Sequence, residues 1–178
     1  KERTMRPAVT RDEKVLVKHL SKKSKMKGKG TNVYFNRKNT DGSSRYLTGK
    51  FYSNKNAKQV IYRSSYELRY FHLLESDPKV KSYEVESVKI PYICPEKKYK
   101  NYIPDVIVLY TNGDMEICEI KPKAMLDNLV VKLKAQACRV YFHNLLKKSD
   151  IVFRYRFITE ADLFKDSKDY LEFIKTHA

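Results

Sequence analysis

The chain has no tryptophan, only five glycines and only three cysteines among its 178 residues. Five glycines in all leave little room for the glycine-rich loop that cradles phosphates, so a nucleotide cofactor is not expected. Cys94, Cys118 and Cys138 form no CxxC pair and no spacing suited to zinc. An odd number of widely spaced cysteines in apolar contexts reads as small buried thiols in a reducing compartment. No apolar run approaches the roughly 20 residues of a membrane span, and the opening residues lack a signal-peptide pattern. No internal repeat is visible. The chain opens on Lys rather than Met, as expected of a trimmed chain or a fragment. Ser64 and Ser65 have no His/Asp partners in a triad arrangement. His72 and His143 lie in apolar helical segments and read as core or boundary side chains.

Acidic residues are also in short supply. There are 37 Lys+Arg against 21 Asp+Glu, a net charge of +16. Residues 1–58 carry 17 basic and 4 acidic side chains, or +13, and residues 59–178 carry 20 and 17, or +3. A basic, partly flexible arm over 1–58 therefore precedes a nearly balanced domain over 59–178. Lys22, Lys23, Lys25, Lys27 and Lys29 alternate with small residues in SKKSKMKGKG. This asymmetry suits a polyanion, most simply double-stranded DNA, and equally describes a solvated tail chosen for solubility.

Beyond the arm, periodicity orders the elements. Arg63-Ser64-Ser65-Tyr66-Glu67 leads into a helix reaching about Glu75, with Leu68, Phe71 and Leu74 on one stripe. Val80 to Ile93 is mostly strand-like, and Cys94 to Asn101 reads as a charged loop. Two strands then flank Asn112-Gly113. Ala124 to Leu146 reads as a long helix whose stripe is Leu126, Val130, Leu133, Ala137 and Tyr141. Ile151 to Ile158 is a strand, Thr159 an N-cap for a short helix, and Asp166 to Thr176 a last helix. From Ser64 the order is α-β-β-β-α-β, then α.

The central hairpin admits two registers. A two-residue loop at Asn112-Gly113 would set Leu109 opposite Glu116 and send Asp105 and Glu119 to opposite faces. A three-residue loop, with Gly113 left-handed, pairs Tyr110 with Asp114, Leu109 with Met115 and Ile107 with Ile117. Apolar matching favours the second. It also sets Asp105 opposite Glu119, with Lys121 on the same face.

Two facing carboxylates repel unless something neutralises them. A hard cation such as Mg²⁺, with Mn²⁺ as substitute, does so, with the Ile120 backbone carbonyl as a further ligand. Such a cation activates water for attack on a phosphodiester. Lys121 can orient that water or offset charge growing on phosphate. Arg63, Lys123 and Lys132 are candidate phosphate contacts. The competing reading is a structural ion-pair network, Asp105–Lys121 and Glu119–Lys123, at a strand end.

Pro104-Asp105 followed by Glu119-Ile120-Lys121 is a PD…ExK pattern on an αβββαβ order. It resembles the PD-(D/E)XK nuclease superfamily. Ile61-Tyr62-Arg63-Ser64-Ser65-Tyr66-Glu67-Leu68, Thr48-Gly49-Lys50-Phe51 and Tyr102-Ile103-Pro104-Asp105 narrow the likeness. They resemble TnsA-type transposase endonucleases and, more closely, head-completion nucleases of T-even-like phages. The resemblance implies an α/β, restriction-endonuclease-like fold with a mixed central sheet flanked by helices. It implies metal-dependent DNA endonuclease activity, with Glu67 joining Asp105 and Glu119 as metal ligands. Ser64-x-x-Glu67 is also a capping box, so both roles stay open for Glu67, with Ser64 as support. Gln136 either approaches the site from the long helix or lies on the surface. Implied partners are DNA and capsid, portal or packaging proteins, or else a transposase subunit. The implied setting is the cytoplasm of a phage-infected bacterium or the virion. Alternatives are a TnsA-like subunit, a branched-DNA nuclease, and a structural DNA-binding virion protein with little activity.

Overall fold

The computed structural model describes residues 47–177, so the lysines of the arm from Lys22 to Lys29 lie outside the described residues. Its centre is a four-stranded mixed sheet in the order β3-β6-β7-β8. The strands are β3 (Val80–Val85), β6 (Val106–Tyr110), β7 (Met115–Ile120) and β8 (Phe153–Ile158). β3 and β7 run antiparallel to β6, while β8 runs parallel to β7. The parallel pair needs a crossover, supplied by the helix α2 (Leu129–Leu146). Helix α1 (Ser65–Ser76) covers the other face. The expected α/β architecture with flanking helices is borne out.

Alternation along the strands builds two cores. Val106, Val108, Cys118 and Ile120 pack with Leu68, Phe71 and Leu74 of α1. Ile107, Met115 and Ile117 pack with Cys138 and Phe142 of α2. Because side chains alternate with period two, this division fixes the register. The ladder pairs Ile107 with Ile117 and Leu109 with Met115. The Tyr110 amide donates to the Asp114 carbonyl at 2.9 Å, and Gly113 has φ 91°. This is the three-residue loop with a left-handed glycine that apolar matching selected. The three cysteines are free and buried.

Three expectations are corrected. The segment Val80–Ile93 is two strands, because Glu86 turns the chain at φ 47° and donates its amide to the Asp105 carbonyl. The supposed loop Cys94–Asn101 is largely a hairpin, β4 (Ile90–Ile93) against β5 (Tyr99–Tyr102). The helix expected from Ala124 begins at Leu129, capped by Asn128, after a 3-10 turn over Lys123–Met125. Its buried stripe is Val131, Ala135, Cys138, Phe142 and Leu146. The expected stripe from Val130 to Tyr141 lies on the flank, half-buried, because the β4–β5 hairpin packs beside it.

The boundary expected at residue 58 falls within a hairpin. β1 (Gly49–Ser53) pairs with β2 (Lys58–Tyr62) across it. Phe51 packs on Phe71 at 5.8 Å between ring centroids. The Ser53 hydroxyl, fully buried, donates to Glu75 on α1 at 2.6 Å. The described residues close with α3 (Glu160–Leu163), carrying a Thr159/Asp162 capping box, and α4 (Ser167–His177).

Candidate active site

The β6–β7 hairpin delivers three ionisable side chains to one end of the sheet. Asp105 stands one residue before β6, and its Oδ2 accepts the Ile120 amide at 2.7 Å. Sitting at the ladder's end, the carboxylate takes a backbone donor that no strand partner uses. Glu119, 4% exposed, projects from β7 on the α2 side of the sheet. Lys121 follows the strand end, and its Nζ lies 3.0 Å from Glu119 Oε1. The ion pair therefore joins Glu119 to Lys121, not Glu119 to Lys123.

The electrostatics follow from burial. Loss of water, then repulsion from Glu119, holds the Asp105 carboxyl well above the usual carboxylate range. Burial works against the Lys121 charge, but Glu119 and Asp105 outweigh it and raise its pKa. Buried Glu119 and half-buried Asp105 thus have one lysine near them, so when both are ionised their negative charge exceeds its positive one. Such a donor set, hard oxygens with excess negative charge, fits a hard divalent cation.

Glu67 is held differently. Its carboxylate accepts the Arg63 amide at 2.9 Å and the Ser64 hydroxyl at 3.1 Å. Ser64 Oγ in turn accepts the Glu67 amide at 3.1 Å. The capping box read from the sequence is present, reaching one residue further back than expected. Glu67 nevertheless lies within the electrostatic field of Asp105 and Lys121. Burial raises its pKa, opposed by the cap's hydrogen bonds. Among the described residues no three His, Cys, Asp or Glu side chains converge as a ligand set. Asp105 and Glu119 therefore fit a two-carboxylate site completed by water, and Glu67 would join only by leaving its cap.

The other sequence candidates scatter. Arg63 flanks the site and pairs with Glu86. Lys123 is exposed and donates its amide to Glu160 at 2.9 Å. Lys132 is exposed on α2 and pairs with Asp127 at 3.2 Å. Gln136 is exposed and lines an apolar groove with Tyr92 and Tyr99, away from the carboxylates. The helix rotation described above explains this, since the face bearing Ala135 and Cys138, not Gln136, meets the sheet.

The sequence reading missed two tyrosines. Tyr102 donates to Glu119 Oε2 at 2.6 Å, and its oxygen is 3.0 Å from that of Tyr155 on β8. With Lys121 on Oε1, both Glu119 oxygens are engaged. Tyr102 is visible in sequence three residues before Asp105, but only the β4–β5 pairing turns it inward. Lys134 lies 5.5 Å from the Tyr102 ring, and Arg139 5.1 Å from the Tyr155 ring. On the other face of β7, Glu116 is equally buried, beside Tyr110, Arg154 and Arg156.

Comparison with known proteins gives two likenesses. Residues 77–160 match the model of the family described as TnsA-like endonuclease N terminal. The head completion nuclease of Enterobacteria phage T4 is 34% identical over 67 residues, covering 37% of this chain and 45% of that protein. The match thus spans less than half the length of the curated relative. Both likenesses read from the motifs are present. The family match contains Asp105, Glu119 and Lys121, while Ser64 and Glu67 precede it.

Proposed function

We propose that this chain, with its TnsA-like endonuclease segment, is a Mg²⁺-dependent DNA endonuclease. One observation carries the reading: buried Glu119 and half-buried Asp105 stand at one end of the β6–β7 hairpin, with Lys121 paired to Glu119 and within the field of both. Burying like charges is costly, and an arrangement that keeps them needs a compensating function or ligand. Asp105, Glu119 and the Ile120 carbonyl would hold the cation, with Glu67 available once it leaves its cap. A bound Mg²⁺ would supply Lewis acidity and lower the pKa of the attacking water.

The residues of this chain do the rest. Asp105 is oriented by the Ile120 amide. Glu119 is oriented by Tyr102 and Lys121. With Glu119 holding a cation, the Lys121 ammonium would be available to the phosphate, offsetting charge that grows on the non-bridging oxygens. Arg63 and Lys123, on either side, are phosphate contacts in this reading, as are the arm lysines and Lys132 further out. A role in phage head completion, with capsid or packaging proteins as partners, is the finer reading that the T4 relative supports.

Nicking of supercoiled plasmid with Mg²⁺, compared with EDTA, tests the proposal. Asp105→Ala and Lys121→Ala should each abolish cutting while leaving DNA binding in place. Equal nicking by both variants would remove the assigned site. Preference for branched over linear duplexes would move the reading to a junction nuclease.

A further inference from the structure

The β4–β5 hairpin carries chemistry that neither the core nor the carboxylate site uses. It forms its own two-stranded sheet, inserted between β3 and β6 of the central one. One face is anchored, since Ile90, Tyr92 and Tyr102 are buried beside α2. The other face presents Ile93 and Tyr99, which are direct cross-strand partners. They are 51% and 80% exposed. An aliphatic and an aromatic side chain are thus paired at the solvent-facing rim of the groove that runs along α2. A single exposed apolar residue needs no explanation, but a cross-strand pair beside a groove suggests a partner.

The surroundings identify that partner's chemistry. Lys89, Lys97, Lys98 and Lys100 are all exposed on the hairpin and its approach. Glu96 is the single acid among them, 3.7 Å from Lys100. Lys134 extends the charge onto α2, its Nζ 5.9 Å from the Tyr92 ring. Lys98 and Lys100 flank the exposed Tyr99 along β5 and its approach, and lysines next to an exposed aromatic residue on one hairpin match a nucleic-acid strand, with phosphates on the lysines and a base on the ring. The hairpin also runs straight into the site: β5 ends at Tyr102, three residues before Asp105.

We propose that the β4–β5 hairpin is a DNA-contacting finger, on which Tyr99 stacks against an unpaired base close to the cut. This rests on the endonuclease reading and deepens it, because it gives the substrate class as DNA with unpaired bases. The lysines at the tip hold the strand leaving the site. Ile93 supports the Tyr99 ring from the neighbouring strand.

The test is fluorescence anisotropy with a labelled duplex, and with the same duplex carrying a central unpaired stretch, both in EDTA so that nothing is cut. Tyr99→Ala should weaken binding of the unpaired substrate about tenfold and leave the plain duplex nearly unchanged. The Lys98→Ala/Lys100→Ala variant should weaken both and lower the salt-dependence slope by between about 1 and 2. Both changes lie on exposed side chains, so circular dichroism and melting should match the wild type. Equal loss on both substrates with Tyr99→Ala would overturn stacking. Unchanged affinity and slope in all variants would overturn the finger while leaving the endonuclease reading intact. A wild-type chain that neither binds nor cuts DNA would overturn both.

Discussion

The hydroxyl of Tyr102 donates to Glu119 Oε2 at 2.6 Å, while Lys121 holds the other oxygen at 3.0 Å. A residue of the inserted hairpin thereby fixes a carboxylate of the central sheet. Tyr102→Phe keeps the ring's packing and removes the donor. It should cost about 2 kcal/mol, as expected for a buried hydrogen bond to a charged acceptor. It should also lower Mn²⁺ affinity about tenfold with DNA affinity unchanged. Urea unfolding and calorimetric Mn²⁺ titration measure the two effects. A variant with wild-type Mn²⁺ affinity would reduce Tyr102 to a packing residue.

The Asp105 carboxyl is held well above its ordinary range by burial and then by Glu119. Its folded pKa thus exceeds the unfolded value of about 3.9. The metal-free folded protein binds more protons between those values and loses stability as pH rises through that window. Asp105→Asn keeps an acceptor for the Ile120 amide and removes the charge. In EDTA at neutral pH the variant should melt higher than the wild type, and the gap should close as pH falls towards about 4. Melting curves across pH decide the point, and parallel curves would contradict it.

Glu75 joins the first hairpin to the domain. It accepts the Ser53 hydroxyl at 2.6 Å, the Tyr83 hydroxyl at 2.8 Å and the Lys55 amide at 3.4 Å. Glu75→Ala leaves these donors without partners, Ser53 among them fully buried. The expected loss is about 2–4 kcal/mol. A chain begun at residue 59 loses β1 altogether and should expose Phe71 and bind hydrophobic dyes, whereas one begun at residue 47 should not. Indistinguishable stability of the two truncations would show that β1 contributes nothing to the domain.

Two hairpins here share a loop geometry but not a residue. Cys94 and Lys98 repeat the bond between the Tyr110 amide and the Asp114 carbonyl, the Lys97 amide donating to Cys94 as Gly113 does to Tyr110. Lys97 sits at φ 56°, where the other loop has glycine. A left-handed conformation costs a residue with a Cβ about 1 kcal/mol. Lys97→Gly should therefore stabilise the protein by somewhat less than that, because glycine also loosens the unfolded chain. It should weaken DNA binding at the same time. Chemical unfolding together with anisotropy checks the opposed signs, and a loss of stability would contradict the strain argument.

The amino-acid sequence by itself determined the local and alternating features. Apolar matching across Asn112-Gly113 chose the register, and that register put Asp105 and Glu119 at one end. Ser64 and Glu67 marked the start of α1, Thr159 that of α3, and the αβββαβ order named the sheet. These follow from period two, period 3.6 and capping, which act over a few residues. Only the tertiary structure decided which face of α2 meets the sheet. Its apolar residues form two adjoining stripes, and the β4–β5 hairpin took the one that periodicity favoured, carrying Gln136 away from the site. The hairpin itself was hidden because Lys97, Lys98 and Lys100 gave it the composition of a loop. Tyr102 and Tyr155 were out of reach for another reason: 53 residues separate them, and hydrogen bonds between distant strands leave no pattern along the chain.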